Sequence, residues 1–356
     1  MAAFREGKIA SILSERHDLV RATVATEEGE IEAAGFTSML GPLKTGDRVI
    51  VNTTGVELEL GTGGVGFILW NLDGPGPGGP GEGHIVKLRY TPWQTEVLAA
   101  EAPESRHHDS LRAVDSIDGM PVVVCSLHSQ IAAVAAGVKA AAPDARVGYL
   151  MTDGAALPIA WSDLVDELKK AGLLDVTCTA GHAFGGDLES VNVFSGLVAL
   201  RAAGEVDAAV AAMGPGVVGT SSALGFTGME QGQILDAATA LGGRAIACLR
   251  VNFADARPRH RGLSHHTLTA LRIAARERCT VAVPELEDDR LQDITAALDD
   301  AGISRRHDVV TADGRPGIEA MRDRGVTPTS MGRSLDEVPE LFLAGAAAGA
   351  LAASWL

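Results

Sequence analysis

Aromatic side chains are scarce: phenylalanine, tryptophan and tyrosine make up 4% of the 356 residues. The core must therefore be built from alanine, valine, leucine and glycine, and a platform for stacking single-stranded bases is missing. Positive charge is also short. Thirty lysines and arginines face 46 acidic residues, a formal net charge of −16. Such a chain has no general affinity for nucleic acid or an anionic membrane, because both need a basic surface. The four cysteines, Cys125, Cys178, Cys248 and Cys279, are far apart, and no Cys-x-x-Cys pair occurs. That spacing points to buried reduced thiols rather than disulfides or a thiolate metal site.

Long apolar runs are missing too. The stretch "LFLAGAAAGALAASWL", Leu341 to Leu356, falls short of the ~20 residues that a spanning helix needs. Its Gly345 and Gly349 form a Gly-x-x-x-Gly pair, which suits a buried C-terminal helix or a homodimer contact through that helix. The opening "MAAFREGKIASILSER" lacks the basic start and apolar core of a secretory signal. A cytoplasmic protein with no membrane partner is expected.

Two patterns divide what is present. Residues 1–95 read as a small β domain, a barrel or sandwich. "KIASILSE", "LVRATVAT", "EIEAAGF" and "DRVIVNTT" are short β-rich segments, with Gly7, Gly29, Gly35, Gly41 and Gly46 expected at the turns between them. "DGPGPGGPGEG", residues 73–83, can be neither helix nor central strand. It reads as a hairpin tip, from which "HIVKLRY" returns to the barrel. Residues 110–356 alternate apolar strands with alanine-rich amphipathic helices: "PVVVCS" precedes "SQIAAVAAGVKAAA", and "RAIACLRVN" precedes "SHHTLTALRIAARER". This rhythm predicts a Rossmann-like α/β domain, a largely parallel sheet with helices on both faces. Ser129, Ser162 and Ser264 stand where helix N-caps belong, and Gly172 and Gly302 stand just past helix ends.

In such a sheet, ligands bind beyond the carboxyl ends of the strands, where loops feed helix N-termini. The unusual residues fall at those ends. Ser126, His128, Ser129 and Gln130 follow the first strand, and Asp153 follows the second. "AGHAFGGD" follows a third, with His182 and Asp187; Asp187 reads equally well as the N-cap of "LESVNVFSGLVALRAAG". Glu285 and Glu287 are weaker candidates, and Asp313 suits a turn. "GPGVVGTSS" sets Gly214, Gly216 and Gly219 in Gly-x-Gly-x-x-Gly spacing, followed by Thr220 and Ser221. Glycines there admit a phosphate close to backbone N–H groups, though a tight structural turn is the rival reading. The dinucleotide fingerprint is incomplete, because helix formers resume only near Met229.

The densest cluster is "DARPRHRGLSHHT", Asp255 to Thr267, with three arginines and three histidines in thirteen residues of an acidic chain. Arg257 and Arg259 supply fixed positive charge suited to phosphate or carboxylate. Ser264 as N-cap places His265 and His266 in the first helical turn, where the dipole favours neutral imidazole. Adjacent helical residues point about 100° apart, so one of the two is expected to face the pocket while the other packs. The candidate catalytic residues are His128, Asp153, His182, Asp255, His260 and His265. The candidate anion site is Gly214, Gly216, Gly219, Thr220, Ser221, Arg257 and Arg259. A divalent metal ion is the cofactor such ingredients can hold, with His128, His182, His265 and His266 as candidate ligands.

The segments "SLHSQ", "MTDGAALPIAWS", "TAGHAFGGDLESVNV", "GPGVVGT" and "RHRGLSHHT", following "HIVKLRYTP", carry a resemblance over nearly the whole chain. Together they resemble a family of bacterial proteins of about this length, catalogued as domain of unknown function 3866. The resemblance implies no activity, substrate or catalytic residue. The function expected from the residues is hydrolysis or group transfer, metal-assisted if a metal is held, on a phosphorylated or anionic small molecule. One alternative is a non-catalytic nucleotide or metabolite sensor using the same pocket. Another is an adaptor that binds nucleic acid or protein through the β domain, which carries Arg5, Lys8, Arg16, Arg21, Lys44 and Arg48.

Overall fold

Short β-rich segments with small inward side chains can close tightly on themselves, and the N-terminal ones do. In the computed structural model, which describes residues 2–59, 61, 63–79 and 81–356, five strands form a closed barrel. They are β1 (Phe4–Arg16), β2 (Leu19–Thr26), β3 (Gly29–Gly35), β4 (Arg48–Asn52) and β5 (Gly66–Asn71), in the order β1-β2-β3-β5-β4. β3 and β5 run parallel and the other neighbours antiparallel, the Greek-key closure of an OB-type barrel. Ile9, Val20, Ala22, Val24, Ala33, Val49, Val51 and Ile68 fill it. Gly7 proves to lie inside β1 rather than at a turn: a Cβ there would sit 2.6 Å from Val24 Cγ1. The segment "HIVKLRY" does not return to the barrel. Its strand β6 (Ile85–Lys87) pairs with β7 (Thr95–Val97) in a separate two-stranded sheet, and "GFILWN" of β5 supplies the fifth barrel strand. Pro80 of the 73–83 loop lies outside the described residues.

The chain separates into two compact units, Met1–Glu82 with Val86–Glu96, and Gly83–Ile85 with Val97–Leu356. The larger unit is built on eight parallel strands. β8 (Pro121–Val124), β9 (Val147–Thr152), β10 (Val176–Thr179), β11 (Leu188–Glu189), β12 (Ala208–Met213) and β13 (Arg244–Cys248) come first. A small antiparallel pair, β14 (Val251–Asn252) and β15 (Gly262–Leu263), precedes β16 (Thr280–Pro284) and β17 (Asp308–Ala312). The sheet order is β11-β10-β9-β12-β8-β13-β16-β17, and every neighbouring pair is parallel. Side chains alternate between faces, so both faces of a central strand must be apolar. Val123 and Cys125 enter one core with the helices Ile131–Ala141, Arg315–Asp323 and Pro339–Ala353. Val122 and Val124 enter the other with Val193–Ala202, Glu230–Ala240 and Asp288–Asp300. β8 and β12 are neighbours whose following helices pack on opposite faces, which opens the sheet's crevice at their carboxyl ends.

The C-terminal helix Pro339–Ala353 is nearly all buried. A Cβ on Gly349 would lie 2.1 Å from Val134 O, one on Gly345 would lie 2.9 Å from Ala133 Cβ, and one on Gly137 would lie 2.2 Å from Ala346 O. The Gly-x-x-x-Gly pair thus seats this helix against Ile131–Ala141 of the same chain. Among the described residues no helix is long and apolar enough to cross a membrane. All four cysteines are buried and free.

Caps follow the sequence in part. Ser162 accepts the N–H of Val165, and Ser264 that of His266. Ser129 instead lies in a 3₁₀ turn, His128–Gln130, and donates to Ser330 Oγ. The helix after β11 is capped by Asn192, not Asp187, which accepts from the Thr177 N–H and hydroxyl and pairs with Lys169.

Candidate functional site

The β14–β15 pair pins the base of the 253–261 excursion and folds it back over the N-terminus of the helix His265–Thr269. His260, at the end of a 3₁₀ turn, thereby reaches the cap, with Nδ1 2.8 Å from Ser264 Oγ. The rings of His260, His265 and His266 meet, their centroids 5.0, 4.7 and 4.4 Å apart. One nitrogen from each lies within 4.8 Å of the others. The expected divergence of His265 and His266 is therefore overturned. Backbone directions differ by about 100°, but at the first turn both rings rotate toward His260, and Phe226 stacks flat on His266 at 3.8 Å.

Charge defines the site's chemistry. Arg250, just beyond β13, is 5% exposed. Its Nη1 lies 3.3 Å from His266 Nδ1 and its Nη2 lies 3.8 Å from Met331 Sδ. No ion pair holds it among the described residues. Arg257 grips Asp255 with two bonds, Nε–Oδ1 at 3.0 Å and Nη2–Oδ2 at 2.8 Å. Arg259 is exposed and donates from Nε to His260 Nε2 at 3.3 Å. Three guanidiniums thus share one carboxylate, and the imidazoles around them stay neutral. Burial, then Arg250, pushes His260 down to about 4 and His266 down to about 3; burial and Arg259 lower His265. Burial, with Arg257 beside it, brings even Arg250 down to about 10. The Arg257 guanidinium holds Asp255 well below the ordinary carboxylate range. His265 Nε2 is buried and has no hydrogen-bond partner.

The glycine run does not open onto a helix, as a phosphate cradle of that spacing requires. Gly219 bridges Phe226 in a hairpin, Thr220 N–H donates to Gly225 O at 2.8 Å, and Ser221 stands at the exposed tip with φ +65°. A 3₁₀ turn, Thr227–Met229, separates this hairpin from the next helix. Gly214 packs beneath Ala156, and Gly216 takes φ +112°. The loop's part in the cluster is a wall: a Cβ on Gly219 would lie 3.7 Å from His266 Nε2, beside the Phe226 stack.

Three other candidates stand apart from the triad. His128 is half-buried, with Nδ1 3.0 Å from the Tyr149 hydroxyl and Nε2 2.7 Å from Ser162 Oγ. Tyr149 in turn donates to the carbonyls of Ala212 and Met213. Both nitrogens of His128 are thus engaged, which fits a structural residue better than a ligand or base, and burial pushes it down to about 4. Asp153 is exposed, and its Oδ2 accepts the backbone N–H of His182 at 2.9 Å, a contact that shapes the loop. Two residues escaped the sequence reading. Arg250 is hidden in what looks like the tail of a strand. Glu230 opens the helix Glu230–Ala240 and accepts from Thr152 Oγ1 at 2.6 Å; burial, with Asp153 nearby, raises it to about 7.

A family model described as Protein of unknown function (DUF3866) matches residues 32–349, and the chain belongs to that family. No curated protein matches the chain.

Proposed function

We propose that this protein is an enzyme, a hydrolase or group transferase, acting on a phosphorylated or otherwise anionic small molecule at the carboxyl edge of its parallel sheet. Arg250 carries the reading. A buried charge with no ion pair of its own, the nearby Asp255 being gripped by Arg257, destabilises a fold, so its retention calls for an anion that arrives from outside. Arg259 lies on the exposed side, with Arg257 beside it, and guanidinium forks suit phosphate and carboxylate oxygens. His265 Nε2 is unengaged, so this imidazole is available to a ligand there, as a proton carrier or as a donor to a metal ion. A bare divalent cation fits these charges poorly: at ~5 Å, each guanidinium repels it by roughly 6–7 kcal/mol at an effective dielectric near 20. Four buried free thiols accord with a reducing cytoplasm.

The test is calorimetric titration with inorganic phosphate and a panel of phosphomonoesters, followed by assays for product release. Binding is expected, and Arg250→Met should weaken it at least tenfold while the fold persists. Binding without turnover of any panel member would favour the sensor reading. Absence of binding by any small oxyanion sinks the site itself.

A further inference from the structure

We propose that His260, His265 and His266 together bind one divalent transition-metal ion of the zinc class, and that they do so only when an anion occupies Arg250 and Arg259. This inference rests on the anion reading above. Three observations carry it. First, the rings converge from two separate segments, the 253–261 excursion and the helix that Ser264 caps, and one nitrogen of each lies within 4.8 Å of the others. In a tetrahedral zinc site with Zn–N bonds of ~2.0–2.1 Å the nitrogens stand about 3.3 Å apart, so closure takes shifts of about an ångström. Second, outer partners already orient two of the rings. Ser264 Oγ lies 2.8 Å from His260 Nδ1, which leaves Nε2 as the lone-pair nitrogen, and Phe226 fixes the plane of His266. Third, His265 Nε2 is buried and unpartnered, a nitrogen with nothing in the chain to satisfy it.

The arginines set the condition. Arg259 Nε–H rests on His260 Nε2 and Arg250 Nη1–H on His266 Nδ1, each a single 3.3 Å contact, longer than a usual N–H bond. While they remain, two of the three lone pairs are covered and the local charge repels a cation. An oxyanion is the better acceptor for both guanidiniums. Its arrival draws them off the rings, neutralises their charge and offers an oxygen as the ion's fourth ligand. The ligand class is therefore a phosphomonoester or phosphonate bound together with a metal ion, rather than either alone.

The experiment titrates Co²⁺, whose visible absorption reports coordination, into chelator-stripped full-length protein with and without phenylphosphonate. Expected are a tetrahedral spectrum at one ion per chain with phosphonate, at least tenfold weaker uptake without it, and loss of the spectrum in His265→Ala. Circular dichroism checks that this partly exposed position leaves the fold intact. Calorimetry of phenylphosphonate on the metal-free protein separates the two readings. If phosphonate binds but Co²⁺ does not follow, the metal site is overturned and the anion site stands. Equal Co²⁺ affinity with and without phosphonate overturns the coupling, and an unchanged spectrum in His265→Ala overturns the ligand set.

Discussion

Arg250, buried, and His128, half-buried, are both basic side chains, yet they predict opposite responses to mutation. Among the described residues, the polar contacts of the Arg250 guanidinium are a thioether and an imidazole nitrogen. Arg250→Met keeps most of the volume and removes the unpaired charge, so the ligand-free protein should gain about 1–3 kcal/mol. Urea denaturation without and with phosphate checks this: the variant should be the more stable without phosphate and should respond to it less. A less stable ligand-free variant would falsify the unpaired-charge argument. His128 donates at one ring nitrogen and accepts at the other, so His128→Ala removes one partner each from Tyr149 and Ser162 and leaves a hole. A loss of about 2–4 kcal/mol is expected, with phosphate affinity, measured below the unfolding transition, little changed. The sequence singled out both kinds of residue unevenly. His128 and the His265–His266 pair were visible as histidines at a strand end and a helix start. What joins His260 to the pair is the β14–β15 hairpin, a non-local pairing of two residues on each side, and nothing in the local pattern announces it. Arg250 stayed hidden for a related reason: "RAIACLRVN" reads as one strand, whereas the parallel ladder stops at Cys248 and the hairpin begins at Val251.

Elements with strong periodicity were legible, and short ones were not. The alternation of apolar strands with alanine-rich helices gave the parallel sheet, because a buried strand and an amphipathic helix leave different spacings in the sequence. β11, two residues long, has no spacing to read, so Asp187 beside it reads equally well as an N-cap, of a helix that begins only at Val193. Barrel strand β5 follows a glycine-rich turn, while "HIVKLRY" has better β residues but pairs elsewhere. The Gly-x-x-x-Gly helix was legible as a close-packing surface, though its partner was not. That partner is Ile131–Ala141, whose own Gly137 abuts Ala346 and the neighbouring Gly317. Backbone oxygens cannot rotate away from a new methyl group. Gly137→Ala or Gly349→Ala should therefore destabilise the sheet unit by about 1–3 kcal/mol or more, through forced separation of the helices. An exposed glycine such as Gly332, where a Cβ meets nothing but φ is +75°, should lose less on the same change. Thermal unfolding of these variants side by side tests the ranking, and equal losses at all three sites would remove the packing argument.

At the scale of the whole molecule, half-buried titratable groups at the sheet's carboxyl edge set opposing pH slopes. His128 drops from 6.5 to about 4 in the fold, so the unfolded chain protonates first as pH falls. Its contribution is complete above pH 6.5 and is lost progressively below it, about 3 kcal/mol in all. His260 and His266 have the same sign, with bound anion opposing the loss. Glu230 runs the other way. Its folded value near 7 lies above the ordinary 4.5, so its contribution is complete below pH 4.5 and is lost as pH rises through 7. Allowing for its partial exposure, that loss is roughly 2 kcal/mol. Glu230→Gln keeps the acceptor for Thr152 and cannot ionise, so it should be more stable than the parent above pH 7 and gain nothing below pH 4.5. The same variant keeps the histidine slope, which makes its stability rise more steeply between pH 4.5 and 7 than the parent's. Denaturant midpoints of the two proteins across that range decide the matter: parallel curves would mean that Glu230 ionises freely in the fold and that the polar edge is more open to water than its packing implies.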